Sequence, residues 1–173
     1  TEAFGGIYLH FTNNSLLRNN TLLFSNESGI TNIGSNNTLF RNYARNDSTY
    51  GSYILNSSFT NITGDFYEGS GVSSLCLHRS NGSYITDTSH LDLSGNTVAV
   101  VLNNSFFTRI FNVNLSDEPT DTSNNGNNWL FYLESSNYNN LTNGSYVAHP
   151  FTTDVGTNGI YVRNSSYNRI DNV

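Results

Sequence analysis

The chain opens and closes on the same short pattern, and this repetition most constrains its fold. Residues 6–20 read Gly-Ile-Tyr-Leu-His-Phe-Thr-Asn-Asn-Ser-Leu-Leu-Arg-Asn-Asn, and residues 159–173 read Gly-Ile-Tyr-Val-Arg-Asn-Ser-Ser-Tyr-Asn-Arg-Ile-Asp-Asn-Val. Five weaker copies lie between these two segments. A period of about 20–50 residues is typical of solenoid proteins, in which neighbouring repeats bury one another's apolar faces.

Each copy contains a run of alternating residues, which is the period-two pattern of a β-strand. The seven runs occupy residues 6–9, 29–33, 51–55, 71–75, 98–102, 129–133 and 159–162. No segment sustains the apolar period of a helix. We therefore predict an all-β fold, a right-handed parallel β-helix (solenoid) of about seven rungs without a capping helix, forming one domain over residues 1–173.

The copies align on a small hydroxyl residue that recurs every 20 to 31 residues, at Ser15, Thr38, Ser58, Ser83, Ser105, Ser136 and Ser166. Equivalent positions in successive rungs should stack into ladders about 4.8 Å apart. The alignment predicts an inner apolar ladder formed by Leu16, Leu39, Phe59, Tyr84, Phe106 and Tyr167. It also predicts a turn ladder of Asn14, Asn37 and Asn104, because asparagine tolerates left-handed backbone conformations.

The repeat resembles a known family. Gly-Ile-x-Leu, followed a few residues later by Asn-Asn-Ser/Thr-Leu-x-x-Asn, resembles the right-handed parallel β-helix repeat of the pectin-lyase-like superfamily. It is similar to the asparagine-rich repeats of periplasmic copper-associated proteins and of archaeal surface proteins. The resemblance covers nearly the whole chain and implies the fold. It implies little about activity, since that superfamily includes lyases, hydrolases, tailspikes and inert surface proteins.

Two segments interrupt the period and are predicted to be loop excursions. Residues 112–128 and residues 149–158 are rich in asparagine, glycine, proline and acidic residues. Solenoids often place binding sites on such loops, although a tolerated insertion is the favoured explanation. Within them, Asp117, Glu118, Asp121 and Asp154 are a candidate Ca²⁺ cluster or a solvated acidic loop.

Sequons for N-glycosylation are unusually frequent. The chain has thirty asparagines, and its thirteen Asn-x-Ser/Thr motifs are close to twice what random placement would give. The repeat itself accounts for part of this excess, because it places asparagine two residues before a hydroxyl. The alternative interpretation is a heavily N-glycosylated exterior. The predicted glycosylation sites are Asn13, Asn19, Asn26, Asn36, Asn46, Asn56, Asn61, Asn81, Asn103, Asn114, Asn140, Asn143 and Asn164.

Catalytic and metal-binding patterns are weak. Asp65 and Asp87, with Arg79 near in sequence, are the best candidates for a polysaccharide-cleaving site, but turn residues explain them as well. Cys76 and His78 alternate onto one strand face, with His10 at a comparable position, which is too few ligands for a soft metal. We predict no catalytic, cofactor-binding or metal site.

Aromatic residues recur at the second position of four predicted strands. These residues are Tyr8, Tyr53, Tyr132 and Tyr161, and their pattern places them on the outer face. A row of tyrosines on a β-helix either stacks sugar rings or packs from rung to rung. The sequence leaves both interpretations open.

Composition excludes several classes of partner. The net charge is -6 and the seven basic residues are scattered, so nucleic-acid binding through a basic stripe is not expected. No apolar run approaches the length of about 18 residues that a membrane span needs. One cysteine permits no disulfide framework within the chain.

The repeat begins within a few residues of the first position and ends at the last, so we expect open terminal rungs. Such rungs either continue into a longer β-helix or pair head to tail between copies. The sequence therefore predicts a non-enzymatic, heavily N-glycosylated extracellular structural protein, a subunit of a surface fibril whose partners are copies of itself and N-linked glycans. The alternatives are a carbohydrate-binding or carbohydrate-cleaving module and a fragment of a larger adhesin.

Overall fold

A computed structural model describes residues 6–45, 47–92, 98–117, 129–147 and 158–173. These residues form twenty β-strands and no helix. Within the described ranges there is accordingly no helix that could cross a membrane. The strands lie in three parallel sheets, here called sheets A, B and C, which contain seven, seven and six strands. The chain visits the sheets in the order A, B, C and then repeats. This parallel β-solenoid confirms the predicted fold class.

Sheet A contains the longest strands. They are β1 (Ile7–His10), β4 (Ser28–Ile33), β7 (Tyr50–Leu55), β10 (Ser73–His78), β13 (Val98–Asn103), β16 (Trp129–Glu134) and β19 (Asn158–Arg163). Sheet B contains β2 (Leu16–Arg18), β5 (Thr38–Phe40), β8 (Asn61–Thr63), β11 (Tyr84–Thr86), β14 (Arg109–Phe111), β17 (Asn140–Thr142) and β20 (Arg169–Asp171). Sheet C contains β3 (Thr21–Leu23), β6 (Tyr43–Arg45), β9 (Phe66–Glu68), β12 (Ser89–Asp92), β15 (Asn114–Asp117) and β18 (Ser145–Val147).

The apolar core is a narrow column between the sheets. In sheet B its central row is the middle residue of each strand, and the buried members are Leu17, Leu39, Ile62, Ile85, Ile110 and Leu141. In sheet A the third and fifth residues of the long strands face the same column, as Leu75 and Leu77 of β10 do. Such a column needs few apolar residues per coil, which accounts for a hydrophobic content of only 36%.

The predicted inner apolar ladder is wrong except at Leu39. Leu16, Phe59 and Tyr167 are 61%, 65% and 77% exposed. Tyr84 is also exposed and Phe106 is half-buried. The strand register explains the error: Leu16 pairs with Thr38, and the partner of Leu39 is Leu17. Because successive side chains of a strand face opposite sides, an alignment shifted by one residue moves a whole row to the other face.

A second ladder, made of hydroxyl groups, runs along the corner between sheets A and B. The backbone N–H of each member donates to the side-chain hydroxyl of the next, through Thr12, Ser35, Ser57, Ser80, Ser105, Ser136 and Ser165, at 2.9 to 3.2 Å. Each buried hydroxyl then donates to a backbone carbonyl: Ser80 Oγ, for example, lies 3.1 Å from the Ile54 oxygen. This serine ladder replaces the predicted anchors, of which only Ser105 and Ser136 belong to it.

Left-handed backbone forms the turns between sheets B and C. One residue per coil has a positive φ there: Asn19, Arg41, Gly64, Asp87, Asn112, Asn143 and Asn172. The predicted turn ladder is wrong as a single column. Asn14 and Asn104 do have φ values of 58° and 49°, but Asn37 is buried and hydrogen-bonds inside the solenoid. The preference of asparagine for this conformation therefore holds, while the alignment between coils does not.

The two predicted loop excursions are shorter than expected where the structure describes them. The first was predicted to begin at residue 112, but Asn114–Asp117 is strand β15 and pairs with β12. Val113, just before this strand, is fully buried. The second was predicted to include residue 158, where strand β19 begins. Residues 118–128 and 149–157 lie outside the described residues.

The serine ladder should contribute measurably to stability. Ser80→Ala removes the acceptor of the Ser57 N–H, which lies 3.2 Å away, and the donor to the Ile54 carbonyl. Because both groups are buried, we expect the free energy of unfolding to fall by about 1–3 kcal/mol in denaturant titrations of unglycosylated protein. Ser58→Ala, one residue beyond Ser57 and outside the ladder, is the control and should change it by less than about 0.5 kcal/mol. Equal losses in the two variants would contradict this role.

Candidate functional site

The asparagines divide into an inner and an outer set, and the inner set is structural. Asn32, Asn37, Asn42 and Asn139 are at most 2% exposed, and none of them begins a sequon. Their amide N–H groups donate inside the solenoid: Asn37 Nδ2 lies 2.9 Å from Asn32 Oδ1, and Asn139 Nδ2 lies 3.1 Å from the Ser105 carbonyl. These asparagines satisfy backbone and side-chain acceptors that would otherwise be buried without a partner.

The outer set comprises the predicted glycosylation sites. The side chains of twelve of the thirteen are described, and none is buried: Asn103 and Asn114 are half-buried and the other ten are exposed. Asn46 lies outside the described residues. Burial therefore separates the sequon asparagines from the structural ones, a separation that the sequence did not predict.

Hydrogen bonding also distinguishes the sequon asparagines from other asparagines. Among the hydrogen bonds resolved between described residues, no sequon asparagine donates through Nδ2, the atom to which an N-linked glycan is attached. Several accept through Oδ1, as Asn13 does from the Asn36 N–H at 3.0 Å and Asn81 does from the Phe106 N–H at 2.9 Å. Nine other asparagines do donate through Nδ2, namely Asn20, Asn32, Asn37, Asn42, Asn104, Asn112, Asn139, Asn168 and Asn172.

The described sequons surround the solenoid unevenly. Eight lie in turns between sheets: Asn13, Asn19, Asn26, Asn36, Asn56, Asn81, Asn143 and Asn164. Asn61 and Asn140 begin strands of sheet B, and Asn114 begins one in sheet C. Only Asn103, the last residue of β13, lies within a strand of sheet A. The strands of sheet A therefore carry a single described attachment point, as those of sheet C do, against two in sheet B, so the outer face of sheet A is largely free of sequons within its strands.

The predicted tyrosine row lies on that outer face. Tyr8, Tyr53, Tyr132 and Tyr161 share one register position, which confirms their placement in a common row. The rings of Tyr132 and Tyr161 stack on each other, with centroids 4.8 Å apart and planes 14° apart. Tyr53 stacks in the same way on Tyr50 of its own strand, at 4.9 Å. Stacked rings cover one another's faces, which favours packing over a sugar-binding platform along the whole row.

One shallow cavity of about 320 Å³ opens on the same face. It forms where Thr31 takes the row position between Tyr8 and Tyr53, because the small side chain leaves a gap between two large ones. Glu27 and Tyr50 complete its principal walls, and the remaining lining residues are Ser28, Ile33 and Thr49. The cavity thus combines aromatic rings, hydroxyl groups and one carboxylate.

The candidate catalytic residues do not form a common site. Asp65 faces inward, is 1% exposed, and accepts hydrogen bonds from Asn42 and Tyr67. Asp87 lies in a neighbouring coil but faces outward, and its Oδ1 accepts from Asn112 at 2.6 Å. Arg79 is exposed on the far corner, between sheets A and B. Asp65 and Asp87 thus point to opposite sides of the chain, and strand β11 separates Asp87 from Arg79.

The candidate metal ligands are not brought together either. Cys76 is 5% exposed, and burial raises the pKa of its thiol to about 12, which disfavours the thiolate that binds metals. His78 and His10 share a row but are three coils apart, roughly 14 Å at β spacing. The described residues contain no group of three or more metal-ligating side chains. In the acidic cluster, the side chains of Asp117, Glu118, Asp121 and Asp154 lie outside the described residues.

Buried ionisable groups line the inner side of sheet C. Burial raises the pKa of Asp47 and of Asp65 to about 6, and lowers the pKa of His90 to about 3. The ring of His90 stacks on Tyr67, whose hydroxyl donates to Asp65 at 3.2 Å. Asp47 Oδ1 accepts from the Ser25 N–H at 3.0 Å. These groups join successive coils, so we interpret their altered pKa values as a consequence of structural burial.

Sequence reasoning missed a group of exposed aromatic residues in turns. Phe11, Phe24, Phe59, Phe107, Tyr138 and Tyr167 all have φ between 52° and 59° and are 51% to 77% exposed. A signal was present in the sequence, since four of them stand two residues before a sequon asparagine. Only the backbone conformation shows that these rings point to solvent.

Comparison with known proteins assigns no family to this chain. The chain matches no protein-family model, and a search of curated proteins found no match.

The buried carboxylates predict an unusual pH dependence. The native Asp65 carboxyl takes up its proton near pH 6, whereas the unfolded one remains ionised to about pH 3.8. Its contribution to stability is therefore fully present below pH 3.8 and is lost as the pH rises through 6. Relative to Asp65→Asn, the wild-type protein should gain roughly 2 kcal/mol in free energy of unfolding between pH 7 and pH 4.

Denaturant unfolding of both proteins at several pH values measures this difference. Asp47 and His90 titrate in both proteins, so their effects cancel in the comparison. Parallel stability curves would show that Asp65 does not titrate as expected.

Proposed function

We propose that this chain is a non-enzymatic, N-glycosylated structural protein of the cell surface, whose coils form a rod that assembles head to tail into a fibril. The observation that carries the proposal is the division of the asparagines. Buried asparagines such as Asn42 and Asn139 use their amide N–H groups to join coils, and no buried asparagine begins a sequon. The described sequon asparagines are all at least partly exposed, and their amide nitrogens are left free for a glycan.

Surface chemistry supports a glycan coat. Charged residues make up only 12% of the chain, about half of the usual share in soluble domains, and lysine is absent. Large apolar side chains such as Phe11 and Phe24 are about 70% exposed. Glycans in the turns and on sheets B and C would hydrate this surface and hinder proteases.

The fold also supports assembly along the axis. Strands β1 and β19 lie at the two edges of sheet A, and the free backbone groups of an edge strand can pair with a further parallel strand. That strand belongs either to the next coil of a longer chain or to another copy. A contact of this kind does not close on itself and therefore builds a filament. Membership of the pectin-lyase-like superfamily is part of this proposal, and it is supported only by the repeat pattern and the solenoid.

Analysis of the natural material tests both parts of the proposal. Release of N-glycans in ¹⁸O-labelled water, followed by peptide mass spectrometry, should mark the exposed sequons by conversion of asparagine to labelled aspartate. Electron microscopy at low and high concentration should show filaments with lateral projections and an axial spacing of about 4.8 Å. Unmodified sequons throughout would overturn the glycoprotein assignment. Monodisperse particles at every concentration would overturn the fibril assignment.

A second function, carbohydrate binding, is favoured by the cavity on sheet A. Its tyrosines, hydroxyl groups and Glu27 suit a sugar ring, and only one described sequon lies within a strand of that sheet. If the cavity binds sugars, titration with an oligosaccharide panel should quench tyrosine fluorescence. Tyr53→Ala should then weaken binding at least tenfold, because one stacked sugar ring is lost. Phe107→Ala, outside the cavity, should have no effect, and a panel without any response would exclude this function for the sugars used.

A further inference from the structure

Several exposed aromatic residues occupy a backbone conformation that does not suit them. Phe11, Phe24 and Phe59 have φ values of 52°, 57° and 57°, in the left-handed region that favours glycine, asparagine and aspartate. Their side chains are 72%, 69% and 65% exposed, so burial in the core does not explain them. A strained conformation that exposes a large apolar ring to water indicates that the ring contacts a partner outside the protein core.

Each of these phenylalanines stands two residues before a sequon asparagine, at Asn13, Asn26 and Asn61 respectively. The residue between ring and asparagine turns toward the solenoid in all three cases. The Thr12 hydroxyl accepts from Asn37 Nδ2 at 3.3 Å, and the Ser25 side chain hydrogen-bonds to the buried Asp47 carboxyl. Thr60 is fully buried.

Because the middle residue faces inward, the ring and the asparagine both emerge on the outside of the same turn. Two residues of chain hold their Cα atoms within about 7 Å of each other. A sugar on the asparagine nitrogen therefore begins its path beside the ring.

We propose that Phe11, Phe24 and Phe59 are packing platforms for the first sugar of the N-linked glycans on Asn13, Asn26 and Asn61. This inference rests on the proposed glycosylation and specifies what the glycans contact. A pyranose ring has one face of C–H groups, which packs against the electron-rich face of an aromatic ring and removes apolar surface of both from water. The contact would fix the orientation of each glycan relative to the rod.

The next coil supports two of the rings from one side. A Cβ atom at Gly34 would lie 2.5 Å from the ring of Phe11, and one at Gly82 would lie 2.8 Å from the ring of Phe59. Glycine at these positions thus leaves room for the ring against the backbone of the following coil. Most of each ring still remains exposed, which leaves surface for the sugar.

The other three exposed aromatic residues at positive φ stack on one another. Phe107, Tyr138 and Tyr167 form a continuous stack, with centroids 5.3 Å and 4.9 Å apart. Arginine, not asparagine, stands two residues after Phe107 and after Tyr167. Tyr138 does precede the sequon at Asn140, but its neighbours in the stack already cover both of its ring faces. These three residues therefore provide a control in the same fold: exposed rings at positive φ that stack on one another.

A double-mutant cycle on the full glycosylated chain tests the contact at Phe59. The variants are Phe59→Ala, Thr63→Ala and their combination, and Thr63→Ala removes the sequon while retaining Asn61. We expect Phe59→Ala to lower the equilibrium constant for folding roughly threefold to tenfold more when the glycan is present than when it is absent. Phe107→Ala, which has no sequon beside it, should cost the same with and without the Thr63→Ala change.

A spectroscopic readout makes the test independent of stability. In protein with isotope-labelled glycans, ring current should shift the first-sugar protons at Asn61 upfield in the wild type, and Phe59→Leu should abolish the shift. A glycan at Asn61 with neither coupling nor shift would overturn this inference and leave the proposed function intact. The same conclusion would follow if Asn13, Asn26 and Asn61 carried no glycan while other sequons did. Absence of glycans from every sequon would overturn both.

Discussion

The structure depends on hydrogen bonds that pass from one coil to the next. Each serine hydroxyl of the ladder accepts the backbone N–H of one coil and donates to a carbonyl of the same or a neighbouring coil. Ser80, for example, satisfies two buried backbone groups in this way. Each such bond contributes only about 1 kcal/mol. Because the ladder repeats from Thr12 to Ser165, it aligns all the described coils, and an unfilled position would leave buried polar groups without partners.

This alignment explains how a chain with so few apolar residues can fold. The middle residues of most strands of sheet B, two residues from the long strands of sheet A, and Ala44, Tyr67 and Leu115 of sheet C fill the narrow interior. Asparagine and serine line the corners from within, and their side chains hydrogen-bond from coil to coil. The buried Asp47 and Asp65 follow the same principle, since each accepts a backbone N–H of the preceding coil, from Ser25 and from Asn42. A solenoid of this kind is stabilised mainly by repetition between neighbours, and less by a single large core.

The same residue type serves two purposes on opposite sides of the chain. Facing inward, asparagine amides such as those of Asn42 and Asn139 donate to groups of neighbouring coils. The described sequon asparagines are at least partly exposed, and their amide nitrogens donate no resolved hydrogen bond within the described residues. The exposed phenylalanines at positive φ belong to the outer side, and a sugar ring beside them would cover apolar surface that the protein itself does not bury. Glycans would then act as an outer layer that the polypeptide lacks. The outer face of sheet A, with a single described sequon in its strands, also carries the tyrosine row and the cavity.

The sequence by itself determined the parallel β-solenoid, the common row of Tyr8, Tyr53, Tyr132 and Tyr161, and the positions of the sequons. Period-two alternation and a regular repeat can be read from the sequence without knowing which residues of neighbouring coils pair. Only the tertiary structure decided which residues face inward. It placed Leu17 in the core and Leu16 outside, and it set Asp65 inside and Asp87 outside. The physical reason is register: coils of unequal length leave the alignment uncertain by one or more residues, and one residue reverses the face of a side chain. The sequence also could not predict the positive φ of Phe11, Phe24 and Phe59. Hydrogen bonds to the next coil hold the backbone there in a conformation that phenylalanine does not prefer.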